Sequence, residues 1–455
     1  MSIPLTDNLI DNLVDPSNWM SLLARLKPDV RLKDLSIPGT HDSCSRLEAC
    51  KPISTTQYAT LEQQLDAGVR FLDVRIKTDG PTGLKVVHGI EDVGDYYAAG
   101  GRLSFQTVLT HIYAWMNKPE HRDECVIMKV VDCDHTHLDT EPADYDTHTR
   151  IHDIWKSVDD ASHGMKSLDF NTQHTAEDFL RMTLAQAKGK LLLWRVFKDP
   201  EVPHGKRKAF GLDLYQLKDE ARFDNNPYFG ITSPAADGTK RINTLHAQSL
   251  YTWKYSGPHQ KLTYADKMNV VRHLLYEAWH DHTGKAGTRS FDSYRVNELN
   301  IAAIYQSSSD RQDVDSLRYY PITNATHINP LVGALLDQLL SPEPTLPNLS
   351  SSNPQGHGSV GIMLFDWAED PAATRRDFEQ TRLFTEPLYK KVILFNFKPS
   401  KMFARDNLGV DSIRYQPLGD SPYAALRYHD KGAWHTVEGT PGPSPLPFKI
   451  GPITA

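Results

Sequence analysis

The feature that most constrains the fold of this chain is a succession of short apolar runs separated by longer amphipathic stretches. In order, the runs are Leu35–Ile37, Arg70–Ile76, Lys85–His88, Cys125–Val131, Leu191–Val196, Leu245–Tyr251, Asn300–Tyr305 and Val360–Phe365. Apolar runs of this length read as strands, and helical periodicity lies between several of them, at Thr60–Ala67, Phe105–Met116, Phe179–Ala187 and Lys267–Trp279. Alternating β and α segments predict a parallel sheet covered by helices. Eight strands make the expected fold α/β, a (β/α)-type, TIM-like barrel with room for distortion. The pattern ends near residue 400. Beyond Lys401 the periodicity fades, and the chain finishes in Pro441-Gly-Pro-Ser-Pro-Leu-Pro447, which is extended and irregular. The expected organisation is therefore a barrel over residues 1–400 and an irregular or β extension over 401–455, packed on the barrel with a small hairpin. Pro200–Ala236 and Pro342–Gly358 read as long decorated loops.

Composition narrows the partners. The net charge of -7 gives no general attraction to nucleic acid or to an anionic membrane, so nucleic acid is not an expected partner and any membrane contact is local. No stretch approaches the roughly 20 apolar residues that span a bilayer, so no transmembrane segment is expected. Met1–Leu23 lacks a basic region followed by an apolar run, so no signal peptide is read there, and a cytoplasmic or secreted location is expected, the cytoplasm being favoured. Four cysteines are too few for a disulfide framework; Cys44 and Cys50 are close enough in sequence to pair, whereas Cys125 and Cys133 flank one strand and are held apart.

The chemistry-bearing residues sit at the ends of the apolar runs, where a barrel presents its functional face. Ser36-Ile-Pro-Gly-Thr-His41-Asp42-Ser43 delivers a histidine and a carboxylate side by side after a Pro-Gly turn. In Val69-Arg-Phe-Leu-Asp73-Val-Arg75-Ile76, Asp73 and Arg75 share parity and project to one face. His88 follows an apolar run and precedes Gly89, and Asp366 ends Gly361-Ile-Met-Leu-Phe365. Each alone reads as a solvated turn histidine, a satisfied core histidine or a structural ion pair. Together they supply two imidazoles, a carboxylate for each and one guanidinium. That set suits in-line displacement at phosphorus, with one histidine accepting a proton, the other donating one, and arginine neutralising the phosphate. In a closed barrel the last strand lies beside the first, which brings Asp366 within reach of His41.

These residues resemble a known family. Ile37-Pro-Gly-Thr-His-Asp-Ser43, Gly68-Val-Arg-Phe-Leu-Asp-Val-Arg75 and His88-Gly89 are similar to the X-domain of phosphatidylinositol-specific phospholipases C, the bacterial branch above all. Weaker similarity runs through Glu124-Cys-Val-Ile-Met128, Gly189-Lys-Leu-Leu-Leu193, Ile328-Asn-Pro330 and Gly361–Asp366, covering roughly residues 30 to 400. The resemblance implies a phosphodiesterase or lyase releasing diacylglycerol and a cyclic inositol phosphate. His41 would be general base with Asp366 as its orienting partner. Arg75 would bind phosphate, His88 coupled to Asp42 would be general acid, and Asp73 would hold the polar network. The implied partner is a phospholipid at a membrane surface. No cofactor is implied.

The calcium-using members of the superfamily place Asn after the first histidine and acidic ligands on the next strands. Here Asp42, Arg75 and Val131 stand at those positions, so no metal is expected. For the headgroup, Lys129 stands two residues before Val131, where the bacterial enzymes carry lysine; Arg195 matches an inositol-contacting arginine within one residue, and Tyr251 matches a stacking aromatic. Ser249 replaces an aspartate that accepts from sugar hydroxyls, which weakens inositol selectivity. Tyr96-Tyr97 or Pro227-Tyr-Phe229 could form an apolar rim, core packing being the commoner fate of such residues. Two alternatives stay open: a phosphodiesterase on a different soluble or lipid phosphodiester, and a silent barrel that binds headgroups or proteins.

Overall fold

A computed structural model describes residues 14–89, 91–134, 143–162, 175–197, 211–215, 217, 228–234, 241–249, 264–280, 293–300, 321–340, 359–368, 388–397, 410–417, 424–430 and 433–437. Its main sheet contains β1 (Ile37–Thr40), β2 (Phe71–Asp79), β3 (Gly83–His88), β4 (Glu91–Asp92), β5 (Val126–Asp132), β6 (Leu191–Val196), β7 (Leu212–Asp213), β8 (Tyr228–Pro234), β9 (Arg241–Gln248), β10 (Tyr294–Glu298) and β11 (Ile362–Phe365). The strand order is β7-β6-β5-β2-β1-β11-β10-β9-β8, with every neighbour parallel except the β8–β9 hairpin. Eight parallel strands therefore curl into a nearly closed α/β barrel. At the seam between its edges, Ser233 Oγ on β8 donates to the Asp213 carbonyl on β7 at 2.6 Å.

Period-two alternation divides the strands between two apolar layers. Phe71, Ile127, Leu192, Trp194, Ile37, Leu245, Ala247, Tyr294, Val296, Ile362 and Leu364 fill the barrel and continue into Trp19 and Leu23 of α1 (Trp19–Leu26) at its base. Leu72, Val74, Met128, Val130, Leu191, Leu193, Met363 and Phe365 face outward, beneath the helices. Those helices are α2 (Leu61–Asp66), α3 (Phe105–Met116), α4 (Ala143–Ala161), α5 (Ala176–Arg181), α6 (Leu184–Ala187), α7 (Tyr264–His280), α8 (Pro321–Leu340) and α9 (Leu388–Leu394). Helix α3 shows why such segments fold: Ser104 caps it by accepting from the Thr107 N–H, and Phe105, Val108, Leu109 and Ile112 form one buried stripe.

The barrel expected from the sequence is present, with local corrections. Lys85–His88 is not a barrel staple: β3 runs antiparallel to β2 as a hairpin arm, and the short β7 is the additional parallel strand. Phe179–Ala187 is not one helix, because Thr183 starts a new one with its own capping box to Gln186. The strand expected at Asn300–Tyr305 lies earlier, at Tyr294–Glu298, and residues 301–305 fall outside the described set. Pro200–Ala236 carries β7 and β8 rather than loop alone, and Pro342–Gly358 lies outside the described residues. The four cysteines are free thiols, Cys44 and Cys50 included. In the C-terminal region a separate three-stranded antiparallel sheet forms from β12 (Val410–Pro417), β13 (Ala424–Asp430) and β14 (Ala433–Val437), one strand more than a hairpin.

The Pro38-Gly39 turn-like sequence is itself part of β1. A Cβ on Gly39 would stand 2.5 Å from Leu364 Cδ2, 2.9 Å from Phe71 Cβ and 3.0 Å from the Phe71 carbonyl oxygen. Gly39→Ala is therefore expected to destabilise the barrel by about 1–3 kcal/mol through overpacking. Chemical denaturation checks this; an unchanged midpoint would show that β1 has room to move.

Candidate active site

Inward-facing positions change character at the C-terminal ends of the strands. Below, they are Phe71, Ile127, Val296 and Leu364; two residues further on they are Asp73, Lys129, Glu298 and Asp366. The register does much of the assembly. Thr40 pairs with Phe365, so the next residues, His41 and Asp366, stand side by side, and His41 Nδ1 lies 3.0 Å from Asp366 Oδ1. Asp73 pairs directly with Lys129, and their side chains meet at 3.2 Å.

Arg75 is the hub. Its Nε lies 2.6 Å from Asp42 Oδ1, and its Nη2 lies 3.6 Å from Asp73 Oδ2 and 2.8 Å from His41 Nε2. Asp42 Oδ2 lies 3.4 Å from His41 Nε2 and 3.3 Å from His88 Nε2, so one carboxylate links both histidines. It reaches this place because Asp42 adopts a left-handed backbone, with φ of 42°. The turn that imposes this is held by Ser43, whose N–H donates to the Asp73 carbonyl and whose Oγ accepts from the Asp73 N–H, each at 2.8 Å. His88 comes in on the hairpin arm, its Nδ1 2.7 Å from the Ser54 carbonyl. The two imidazole rings stand 6.3 Å apart, perpendicular to one another.

The protonation geometry follows from the partners. With Asp366 accepting from Nδ1–H, His41 turns the lone pair of Nε2 toward Arg75 Nη2 and toward Asn300 Nδ2, 3.3 Å away. Burial, followed by the positive charges of Arg75, His88 and Lys129, holds the His41 pKa well below the ordinary histidine value. Burial, with the neighbouring Asp42 charge, pushes Asp366 well above the carboxylate range. Burial also raises Asp42, whereas at Asp73 the charges of Lys129 and Arg75 overcome burial and lower it. Burial works against charge on Arg75 and Lys129, but their carboxylate partners more than offset it and raise both.

His41, Asp42 and Asp73 present atoms within 4.8 Å of one another, a spacing that can hold a cation. The guanidinium of Arg75 contacts all three. A fixed positive charge amid the only donors of the cluster does not suit a divalent metal, which needs several uncompensated oxygens.

Of the residues singled out from sequence, His41, Asp42, Asp73, Arg75, His88, Asp366 and Lys129 come together. Ser249 lies on the same mouth and donates to Glu298. Arg195 does not join them: it pairs with the outward-facing Val130 and makes an ion pair with Asp213 at 3.1 Å. Its neighbour Trp194 occupies the inward position instead. Tyr251 and Pro227 lie outside the described residues, as do the side chains of Tyr228 and Phe229. Tyr96 and Tyr97 are half-buried and packed on the core, Tyr97 donating to Glu62. Sequence reasoning missed Glu298, Asn300 and the fully buried Lys267, whose pKa burial lowers to about 7. A signal existed for the first two, since Glu298 and Asn300 share parity at the end of a run containing Tyr294 and Val296.

A PI-PLC X family model matches residues 29–150. The 1-phosphatidylinositol phosphodiesterase of Listeria monocytogenes is 42% identical over 86 residues, which are 18% of this chain and 25% of that enzyme, so the match spans a quarter of the relative. By structure, a variant of phosphatidylinositol-specific phospholipase C from Staphylococcus aureus superposes with a TM-score of 0.53 at 18% identity, covering 84% of this chain and 98% of that one. The Listeria monocytogenes phosphatidylinositol-specific phospholipase C gives 0.50 at 20% identity, covering 85% and 100%. The fold is thus that of the bacterial phospholipase C barrels. Among the described residues, no helix is long and apolar enough to cross a membrane.

The buried environment of His41 has a measurable consequence. At pH 6.5 an unperturbed histidine is about half protonated, whereas His41 is expected to give the nitrogen shifts of a neutral imidazole protonated on Nδ1. The sign for stability follows: below about pH 6.5 the unfolded chain takes up a proton that folded His41 refuses, so this group costs stability as pH falls. Nitrogen-15 NMR across pH 5 to 8 checks it; a ring that titrates near 6.5 would mean that the site is wetter than its geometry indicates.

Proposed function

We propose that this protein, a homologue of bacterial phosphatidylinositol phospholipases C through its PI-PLC X region, is a metal-independent phosphodiesterase. It cleaves phosphatidylinositol, or a related inositol phospholipid, to diacylglycerol and a cyclic inositol phosphate. The observation that carries this reading is the pair of perpendicular imidazoles 6.3 Å apart, joined by one carboxylate and flanked by one guanidinium. Two imidazoles and a nearby guanidinium can supply the acid, the base and the positive charge that in-line displacement at phosphorus requires.

The steps follow from the atoms. The headgroup hydroxyl enters at His41 Nε2 and displaces the Arg75 hydrogen bond made there. Neutral His41 removes the hydroxyl proton as the oxygen bonds to phosphorus, and the Asp366 carboxyl steadies the charge on Nδ1–H. Freed from His41, Arg75 Nη2 turns to the phosphate, while its Nε stays on Asp42. The bond from phosphorus to the glycerol oxygen breaks, and His88 gives that oxygen a proton from Nε2, its Nδ1–H held on the Ser54 carbonyl. Water can later open the cyclic product with the roles reversed. Lysine in place of Arg75 would supply charge without the fork that spans Asp42 and phosphate together. Contact with the lipid surface is peripheral, and the catalytic unit is assigned to residues 1–400, with 401–455 as an appended part.

Phosphatidylinositol vesicles incubated with the protein in excess chelator, followed by phosphorus NMR, test the reading. A cyclic inositol phosphate signal is expected, reduced roughly 10²–10⁴-fold in His41→Ala and roughly 10²–10³-fold in Arg75→Lys. Turnover only after calcium addition would sink the metal-independent mechanism, and no turnover under either condition would sink the inositol lipid assignment.

A further inference from the structure

The polar layer of the barrel mouth extends beyond the groups that handle phosphate. Lys129 Nζ lies 3.2 Å from Asp73 Oδ1 and equally 3.2 Å from Glu298 Oε1. The other Glu298 oxygen accepts from Ser249 Oγ. The β9–β10 register, with Gln248 opposite Asn297, sets Ser249 and Glu298 side by side. Unlike Asp73, which is fully buried, the Glu298 side chain keeps 13% of its exposure and so opens onto the mouth.

Lys129 already has Asp73 as its counterion, so a second carboxylate is not needed to neutralise it. Glu298 shares that ammonium, and the buried Lys267 donates to its backbone carbonyl, so its carboxylate is anchored at a place where desolvation penalises charge. What it offers is an acceptor flanked by an ammonium and a hydroxyl. Its position relative to the base is also fixed. Glu298 is the last residue of β10, and Asn300, two residues further on, contacts His41 Nε2. A hydroxylated ring with one hydroxyl at His41 would therefore direct others toward the Glu298 side of the mouth.

We propose that Glu298 is a specificity-determining residue that recognises a cyclic polyol headgroup, its carboxylate accepting from neighbouring ring hydroxyls while Lys129 and Ser249 complete their hydrogen bonds. This deepens the phosphodiesterase reading above and rests on it. It also gives the mouth a carboxylate acceptor although position 249 is serine. The chemistry and the headgroup selection thereby reside on different strands, with β10 contributing to both through Asn300 and Glu298.

Free myo-inositol serves as a probe that does not depend on turnover. Binding is measured by ligand-observed NMR to the full chain, to Glu298→Gln and to the double variant Glu298→Gln with Ser249→Asp, alongside KM and kcat on phosphatidylinositol vesicles. Glu298→Gln keeps size and shape, and its melting curve is recorded beside that of the wild type. The expected result is binding weakened roughly 10- to 100-fold, KM raised in step with kcat largely retained, and recovery in the double variant, which returns a carboxylate to the same corner. Wild-type turnover with unchanged myo-inositol binding and KM in Glu298→Gln would overturn the assignment and leave the phosphodiesterase reading intact. Carboxylate-dependent myo-inositol binding without turnover would support Glu298 and remove the catalytic reading instead.

Discussion

The site depends on the register between β1 and β11, two strands separated by over three hundred residues of sequence. Pairing Ile37 with Ile362 at the apolar end fixes His41 beside Asp366 at the polar end, because the ladder advances one residue at a time on both strands. Slippage by one residue would turn His41 against the helices and bring Thr40 inward. The apolar interior therefore enforces the geometry of the polar cluster: Ile37, Leu364 and Phe71 can be buried together in one register only. Gly39 belongs to this constraint, since a larger residue there would separate the strands whose contact sets the pair.

Above that foundation, charge is organised around Arg75. Three carboxylates and a histidine crowd into a largely buried volume, and without a cation their mutual repulsion and desolvation would drive them to protonate or separate. Arg75 and Lys129 lie among them and keep Asp73 ionised. Burial, and after it the same positive charges, hold the His41 pKa well below the ordinary histidine value. One arrangement thus meets a structural need and a chemical one. It also leaves Arg75 held at Nε by Asp42 while its Nη2 faces His41 Nε2.

The parts of this arrangement legible in the sequence were those carried by local pattern. His41, Asp42, Asp73 and Arg75 lie in two short segments whose strand parity and turn residues are visible without a structure. Asp366 was reachable through the closure rule for barrels. Arg195 misled because a match one residue out of phase reverses the face, and only the pairing of Val130 with Arg195 reveals this. His88 was placed at the right level for the wrong topological reason, since β3 is a hairpin arm and not a staple of the barrel. Glu298 and Asn300 stayed hidden because the apolar run around Ile301 drew the strand assignment several residues late. The register with β9, which makes Glu298 meaningful, is a tertiary fact.

The two sides of the mouth follow different rules. On the side of β1, β2, β3 and β11, each side chain is fixed by several others, and Ser43, Gln57 and Asn329 tie the backbone around them: Ser43 to Asp73, Gln57 to the carbonyls of His41 and Phe365, Asn329 to that of Asp366. On the side of β5, β9 and β10, Ser249 and Glu298 bond to one another and Glu298 to Lys129, which itself reaches across to Asp73. A group constrained by the backbone of several elements tolerates little change without loss of the strand ends. Ser249 and Glu298, held at their side chains by each other and by Lys129, can be exchanged while the strands stay put. The Arg75 cluster is thus tied into the closure of the barrel, and Lys129 joins it to the Ser249–Glu298 pair across the mouth.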